Sequence, residues 1–386
     1  VDPDDVSETT APTDTTPAEG RERPVEPGDR ATGLGSWPGT DRQEAARTVV
    51  GELPGMPYVP ELPARGVGAD IVGRGAALLV DLAVEEWPSG YRVARRPGGD
   101  HRRAQELLAR DLDALDEALG EAGATPPAVK CQVVGPWTLT AGVELRSGHR
   151  VLTDRGAVAE FAASLAEGLR THVAELARRT GAPVVVQVDE PSLPAVLAGS
   201  LRTPSGYGTV RAVPASEARA LLAELVTAAR GAGATAVAVH CCHPTPPLAL
   251  LGAAGADAVA VDLGALGGAG DAQRSGEHAD GGAGPSGWTA PADVLDALGE
   301  LWESGVELWL GIVPSTDPAT RPELHDLARP ALDLADRLGF DRARLADRAV
   351  VTPACGLAGA DPAWARRATS TTVELARAFA DPPASW

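Results

Sequence analysis

Short apolar runs recur along this chain, each closed by a polar or Gly/Pro break and followed by a longer stretch of helical spacing. The clearest runs are Val129 to Val134, Val184 to Asp189, Thr235 to His240, Ala258 to Asp262, Glu307 to Val313 and Ala349 to Thr352. Between and after them lie stretches rich in Ala, Leu, Arg and Glu: His101 to Ala122, Arg155 to Arg179, Ser216 to Gly231, Ala290 to Ser304, Pro322 to Leu338 and Pro362 to Phe379. That alternation confines the chain to an α/β architecture, because neighbouring parallel strands need a helical crossover. Ala31 to Ser36 reads as a first strand and Gly75 to Leu82, or a segment just before it, as a poorly marked second. Eight such units predict a single (β/α)8 (TIM) barrel over residues 30–381. The competing open doubly wound sheet lacks support, since no Gly-x-Gly-x-x-Gly turn opens a helix after the first strand.

Two segments stand outside this pattern. Residues 1–29 are Pro, Thr, Asp and Glu with hardly any large apolar side chain, so they are expected to form a disordered acidic tail. Residues 267–287, rich in Gly, Ala, Ser and Asp, read as a mobile loop insertion or lid in which His278 is solvated. The formal net charge of −19 repels phosphate backbones and anionic lipid, which excludes nucleic acid and membrane surfaces as partners. No apolar run approaches the roughly 18 residues of a membrane span, and no signal-like segment is recognised, so a cytoplasmic location is expected. Four cysteines, two of them adjacent, do not resemble a disulfide framework.

The residues that close the runs carry the chemistry, because barrel active sites gather at the carboxyl ends of the strands. His240-Cys241-Cys242 closes one run and Pro353-Ala354-Cys355-Gly356 another. His240, Cys242 and Cys355 supply three ligands suited to tetrahedral zinc and leave a position open, as catalytic zinc requires. The alternative is plain packing, since cysteine is often buried as a small hydrophobe; Cys131 reads that way, and so does Cys241, whose strand parity is opposite to that of His240 and Cys242. Asp189-Glu190 is either an acid/base pair or a strand end with a helix cap, and binding of a substrate cation at Asp189 is favoured over proton transfer. Asp262 is a fourth, oxygen ligand, an orienting partner of His240, or a solvated loop start.

Taken together, these segments resemble the catalytic barrel of cobalamin-independent methionine synthase, within the superfamily that also holds uroporphyrinogen decarboxylase and the methylcobalamin:thiol methyltransferases. Gly33-Leu34-Gly35-Ser36-Trp37-Pro38 is similar to the family's Gly-Ser-Phe-Pro segment, and Gln187-Val188-Asp189-Glu190-Pro191 to its Gln-Ile-Asp-Glu-Pro segment; His240-x-Cys242 and Pro353-x-Cys355-Gly356 are similar to its zinc-binding segments. The resemblance implies Zn2+ on His240, Cys242 and Cys355, with Asp262 in the place of the family's fourth ligand, a Glu. It implies homocysteine as substrate, its carboxylate near Gly35 and Ser36 and its amine on Asp189 beside Glu190; Glu61 and Asp70 are both candidates for the family's second substrate-binding carboxylate. The implied activity is zinc-dependent thiol methylation, making methionine from homocysteine with a methyltetrahydrofolate or a methylcobalamin (corrinoid protein) donor. The family's Asp-Ile-His acid segment reads here Ile312-Val313-Pro314-Ser315-Thr316-Asp317, and the amino-terminal barrel of the folate-using enzymes has no counterpart in this sequence. Both points favour the corrinoid donor, with Asp317 or His243 as the acid if folate is used. The alternatives are a decarboxylase-like enzyme, thiol methylation of another substrate, and a non-catalytic zinc- or thiol-binding protein.

Overall fold

The computed structural model describes residues 25–123, 125–268 and 288–383. Most of the expected tail and the body of the Gly-rich segment, His278 included, lie outside the described residues. The end of the expected tail is ordered: Val25 is buried, and a 3-10 turn at Pro27–Asp29 lies against the helix Pro362–Ala380, where Arg377 reaches Asp29 at 3.7 Å.

In chain order the strands are β1 (Val84–Trp87), β2 (Gly90–Val93), β3 (Val129–Val134), β4 (Val143–Glu144), β5 (Val184–Asp189), β6 (Ala234–His240), β7 (Ala258–Asp262), β8 (Glu307–Val313) and β9 (Ala349–Pro353). β3, β5, β6, β7, β8 and β9 form a parallel sheet in that order. Its strands are rich in Val and buried on both faces, as expected when helices cover the outside of a parallel sheet. A smaller core of Val185, Ala238, Ala258, Ala260, Trp309 and Val350 fills the concave side, and the larger core lies between sheet and helices.

Two of the expected strands differ. Residues 31–36 make only isolated bridges, Thr32 N to Val351 O at 3.1 Å and Glu61 N to Gly35 O at 3.0 Å. Their glycines admit close neighbours: a Cβ on Gly33 would meet the Tyr58 ring, and Gly35 sits at φ 123° against Gln132. The expected second strand at Gly75 to Leu82 is not one; Ile71–Leu78 is a helix capped by Asp70, which accepts from Val72 N and Gly73 N. The segment beside β3 is instead 57–61, where Val59 N donates to Lys130 O and Lys130 N to Pro57 O. Pro57 and Pro60 lack the N–H that a regular ladder needs, which hides this segment in the sequence. Six regular strands are therefore described where eight were expected, with the two edges of the sheet tied to the irregular segments. The hairpin of β1 and β2, with β4 alongside, was also not anticipated.

The helix Arg155–Thr180 shows how local sequence sets the elements. Asp154 caps it by accepting from Gly156 N and Ala157 N, and Gly181 ends it in the left-handed conformation. Its buried face, Val158, Phe161, Leu165, Leu169, Val173 and Leu176, recurs every three to four positions. Gly168 interrupts that face where the carbonyl of Leu78 comes within 1.7 Å of any Cβ placed there. No helix among the described residues is long and apolar enough to cross a membrane. Gly168→Ala is expected to lower the unfolding free energy in urea by about 1–3 kcal/mol through overpacking, although helix propensity alone would raise it by about 1 kcal/mol; an unchanged or higher stability would contradict this packing.

Candidate active site

Parallel register brings the polar strand ends together. Gln132 pairs with Gln187 between β3 and β5, and Asp189 pairs with His240 between β5 and β6, so their side chains stand side by side on the concave face. His240, Cys242 and Cys355 follow from three different constraints: the end of β6, the turn after it, and the turn after β9. Their ligand atoms all lie within 4.8 Å of one another. The two sulfurs share a hydrogen bond at 3.1 Å and are free thiols, not a disulfide. The hydrogen bond between them favours losing one proton from the pair and pulls the pKa of the Cys355 thiol down, helped by His240 and opposed by burial.

His240 is held from one side and open on the other. Nδ1 contacts Asp189 Oδ1 at 2.6 Å, while Nε2 is buried without a hydrogen-bond partner among the described residues. Burial pulls the imidazole pKa down, but the hydrogen bond and charge of Asp189 outweigh it and the net shift is upward. A neutral ring with its proton on Nδ1, toward Asp189, leaves the Nε2 lone pair for a metal. An orphaned imidazole nitrogen beside two thiols, one of them acidic, is a donor set that fits zinc.

Asp262 does not join this group. Its short side chain caps the turn that follows β7, Oδ1 accepting from Ala265 N at 3.0 Å, and it lies outside the close group of three ligand atoms. Glu190 takes the helix-cap alternative. It is fully buried, accepting from Trp137 N at 3.0 Å, Thr138 N at 2.8 Å and Thr138 Oγ1 at 2.7 Å. It thereby caps the helix Pro136–Gly142, and Gly135 is required because a Cβ there would lie 2.2 Å from Glu190 Oε1. Burial pushes the Glu190 carboxyl up to about 7, against the pull of those donors.

Ser36 lies against the turn that carries Cys355: its carbonyl accepts from Leu357 N at 2.8 Å, and a Cβ on Gly356 would sit 2.0 Å from its Oγ. Of the two further carboxylates, Asp70 is spent as a helix cap and on the Tyr91 hydroxyl. Glu61 instead joins the inner network, 3.2 Å from Arg74 Nε and 3.3 Å from Gln132 Nε2. Burial pushes its carboxyl up while Arg74 pulls it down, and the net shift is upward. Lys130, Gln132, Arg74 and Asp111 belong to the same network and were not singled out from sequence. The available signal was parity, since Lys130 and Gln132 alternate with apolar residues in β3. Cys131 and Cys241 are fully buried, burial pushing both thiols up to about 12.

Residues 30–269 match the family described as cobalamin-independent synthase, catalytic domain. The chain therefore belongs to the cobalamin-independent methionine synthase family and is a methyltransferase. Among solved structures it resembles one from Listeria monocytogenes described as a vitamin-B12 independent methionine synthase, at 14% identity and TM-score 0.50, covering 90% of this chain and 96% of that one. It also resembles a B12-independent methionine synthase from a Shewanella species in complex with selenomethionine, at 13% identity and TM-score 0.51, with the same coverage. At such identities the likeness speaks for the fold. No curated protein matches the chain. The family match takes in His240 and Cys242 and stops short of Cys355, which the geometry supplies. A cobalamin-independent family gives no support to the corrinoid donor expected from the sequence.

Because Glu190 is assigned to a helix end, Glu190→Gln is expected to destabilise the fold by about 1–3 kcal/mol, an amide N–H being turned against donors. Thiol-substrate affinity, measured by calorimetry, should stay unchanged. A large loss of affinity with normal stability would restore the substrate role.

Proposed function

We propose that this methyltransferase is a zinc-dependent homocysteine S-methyltransferase, and that the curled sheet with its two irregular segments is the expected (β/α)8 barrel. The observation that carries the reading is the His240–Cys242–Cys355 group, with Asp189 fixing one imidazole nitrogen and the other left for a metal. Zinc held there supplies a centre that keeps a thiol deprotonated and nucleophilic near neutral pH, where a free thiol of pKa about 8.5 is mostly protonated.

The chain's own groups then orient the substrate. Asp189 uses Oδ1 for His240 and Gln187, which leaves Oδ2 for the ammonium of homocysteine. Glu61, anchored by Arg74 and Gln132, offers a second carboxylate to the same ammonium. Ser36, beside the Cys355 turn, has a hydroxyl to donate to the substrate carboxylate. Fixing amine and carboxylate aligns the sulfur with the incoming methyl group, which is a contribution from orientation. A methyltetrahydrofolate donor suits the cobalamin-independent family, and its departing amine needs a proton. Of the two acids considered, Asp317 is engaged, Oδ2 accepting from Asp361 N at 2.9 Å. His243 is exposed next to Cys242, its Nδ1 accepting from Thr245 N at 3.1 Å.

Purified protein is expected to bind about one zinc per chain, and His240→Ala, Cys242→Ser or Cys355→Ser to lose most of it in metal analysis. A metal-free protein that methylates homocysteine at full rate would overturn the reading. Asp189→Asn should weaken zinc by about tenfold or more, through the lost orientation of His240, and weaken homocysteine as well. Glu61→Gln should weaken homocysteine alone. Equal zinc affinity in all three proteins would show that Asp189 does not act on the imidazole.

A further inference from the structure

Lys130 is fully buried in β3, and both of its hydrogen bonds go to neutral amide oxygens: Gln132 Oε1 at 2.8 Å and Gln187 Oε1 at 2.9 Å. Its ammonium also lies 5.0 Å from the centre of the Tyr58 ring. Burying an ammonium is costly, and an apolar side chain of the same length would fill the space without that cost. What the charge achieves appears at the far end of each amide. With its oxygen held by Nζ, Gln187 must present Nε2 to Leu34 O at 2.9 Å and to Asp189 Oδ1 at 2.7 Å. In the same way Gln132 presents Nε2 to Val59 O at 2.9 Å and to Glu61 Oε1 at 3.3 Å. Every donor and acceptor of both amides is then used in one orientation, and rotating either amide would set an oxygen against a carboxylate.

We propose that Lys130 is a positioning residue for amino-group recognition: through Gln187 and Gln132 it fixes the free oxygens of Asp189 and Glu61 toward the substrate ammonium. One cation thus orients two carboxylates that lie on different segments of the chain, β5 and the irregular segment 57–61. Its positive charge also opposes the upward shift that burial imposes on the Glu61 carboxyl. Burial lowers the Lys130 pKa to about 8, while Asp189 and Glu61 pull it back up, so the ammonium persists at neutral pH. The inference rests on the homocysteine reading and extends it to the choice between thiols with and without an α-amine.

The test is calorimetric titration of zinc-loaded protein with L-homocysteine and with 4-mercaptobutyrate, which keeps the thiol and carboxylate and lacks the amine. Wild type is expected to prefer homocysteine. In Lys130→Met, homocysteine affinity should fall about tenfold, as for loss of a charge-assisted hydrogen bond, while 4-mercaptobutyrate affinity and zinc content hold. A purely structural role would weaken both thiols together, and that result, or an undiminished preference for homocysteine, overturns the proposal. Should Lys130→Met not fold, Gln132→Met removes the Glu61 arm alone and is expected to lose part of the same preference; keeping all of it overturns the proposal equally. A wild type indifferent to the amine overturns the homocysteine reading itself, a result distinct from a wild-type preference that the variants retain.

Discussion

The hydrogen bond between Asp189 Oδ1 and His240 Nδ1 is the contact on which the rest of the centre depends. It exists because β5 and β6 pair in a register that sets these two residues opposite each other at the carboxyl end of the sheet. A one-residue slip would turn Asp189 into the outer wall and bring Glu190 inward. In the neutral ring the bond keeps the proton on Nδ1 and leaves Nε2, which has no other partner among the described residues, for a metal. It also divides the Asp189 carboxylate, one oxygen for the protein and one left over.

From that bond a polar chain runs through the sheet interior: Asp189, Gln187, Lys130, Gln132, Glu61, Arg74, Asp111 and Arg65. Burying so many polar groups is tolerable only when each is satisfied, since a single unpaired charge in such a setting destabilises by several kcal/mol. Arg74 and Arg65 converge on the Asp111 carboxylate, which ends the chain in a compact ion cluster. The concave core beneath is built from the small side chains of Ala238, Ala258 and Ala260, packed with Val185, Trp309 and Val350. Glu190 contributes from the other side of the same strand end, fixing the helix Pro136–Gly142.

The regular strands were legible because apolar β-branched runs bounded by Gly, Pro or charged residues have few other uses. Val129–Val134, Val184–Asp189 and Glu307–Val313 fall where the pattern puts them. Segment 57–61 was hidden by its prolines, and the helix Ile71–Leu78 was mistaken for a strand because its small apolar run lacks a polar face of clear helical period. His240, Cys242 and Cys355 were readable from soft ligands at two strand ends. For Glu190 and Asp262 the sequence left alternatives open, because a cap and a ligand look alike until the partners are seen: residues 137 and 138, far away in sequence, for Glu190 and the following turn for Asp262. For Lys130 the parity it shares with Gln132 gives the face of β3 it stands on, but not the partners that let its charge be buried, since these lie on β5 and on its own strand.

The central claim is that His240, Cys242 and Cys355 form one metal centre, oriented by Asp189, to which the substrate thiol comes. X-ray absorption at the zinc edge of the loaded protein tests it most directly. The account predicts two sulfur scatterers at about 2.3 Å and an imidazole nitrogen at about 2.0 Å, with a third sulfur added when homocysteine is supplied. A shell of oxygen and nitrogen without sulfur, or a sulfur count unchanged by homocysteine, would contradict it.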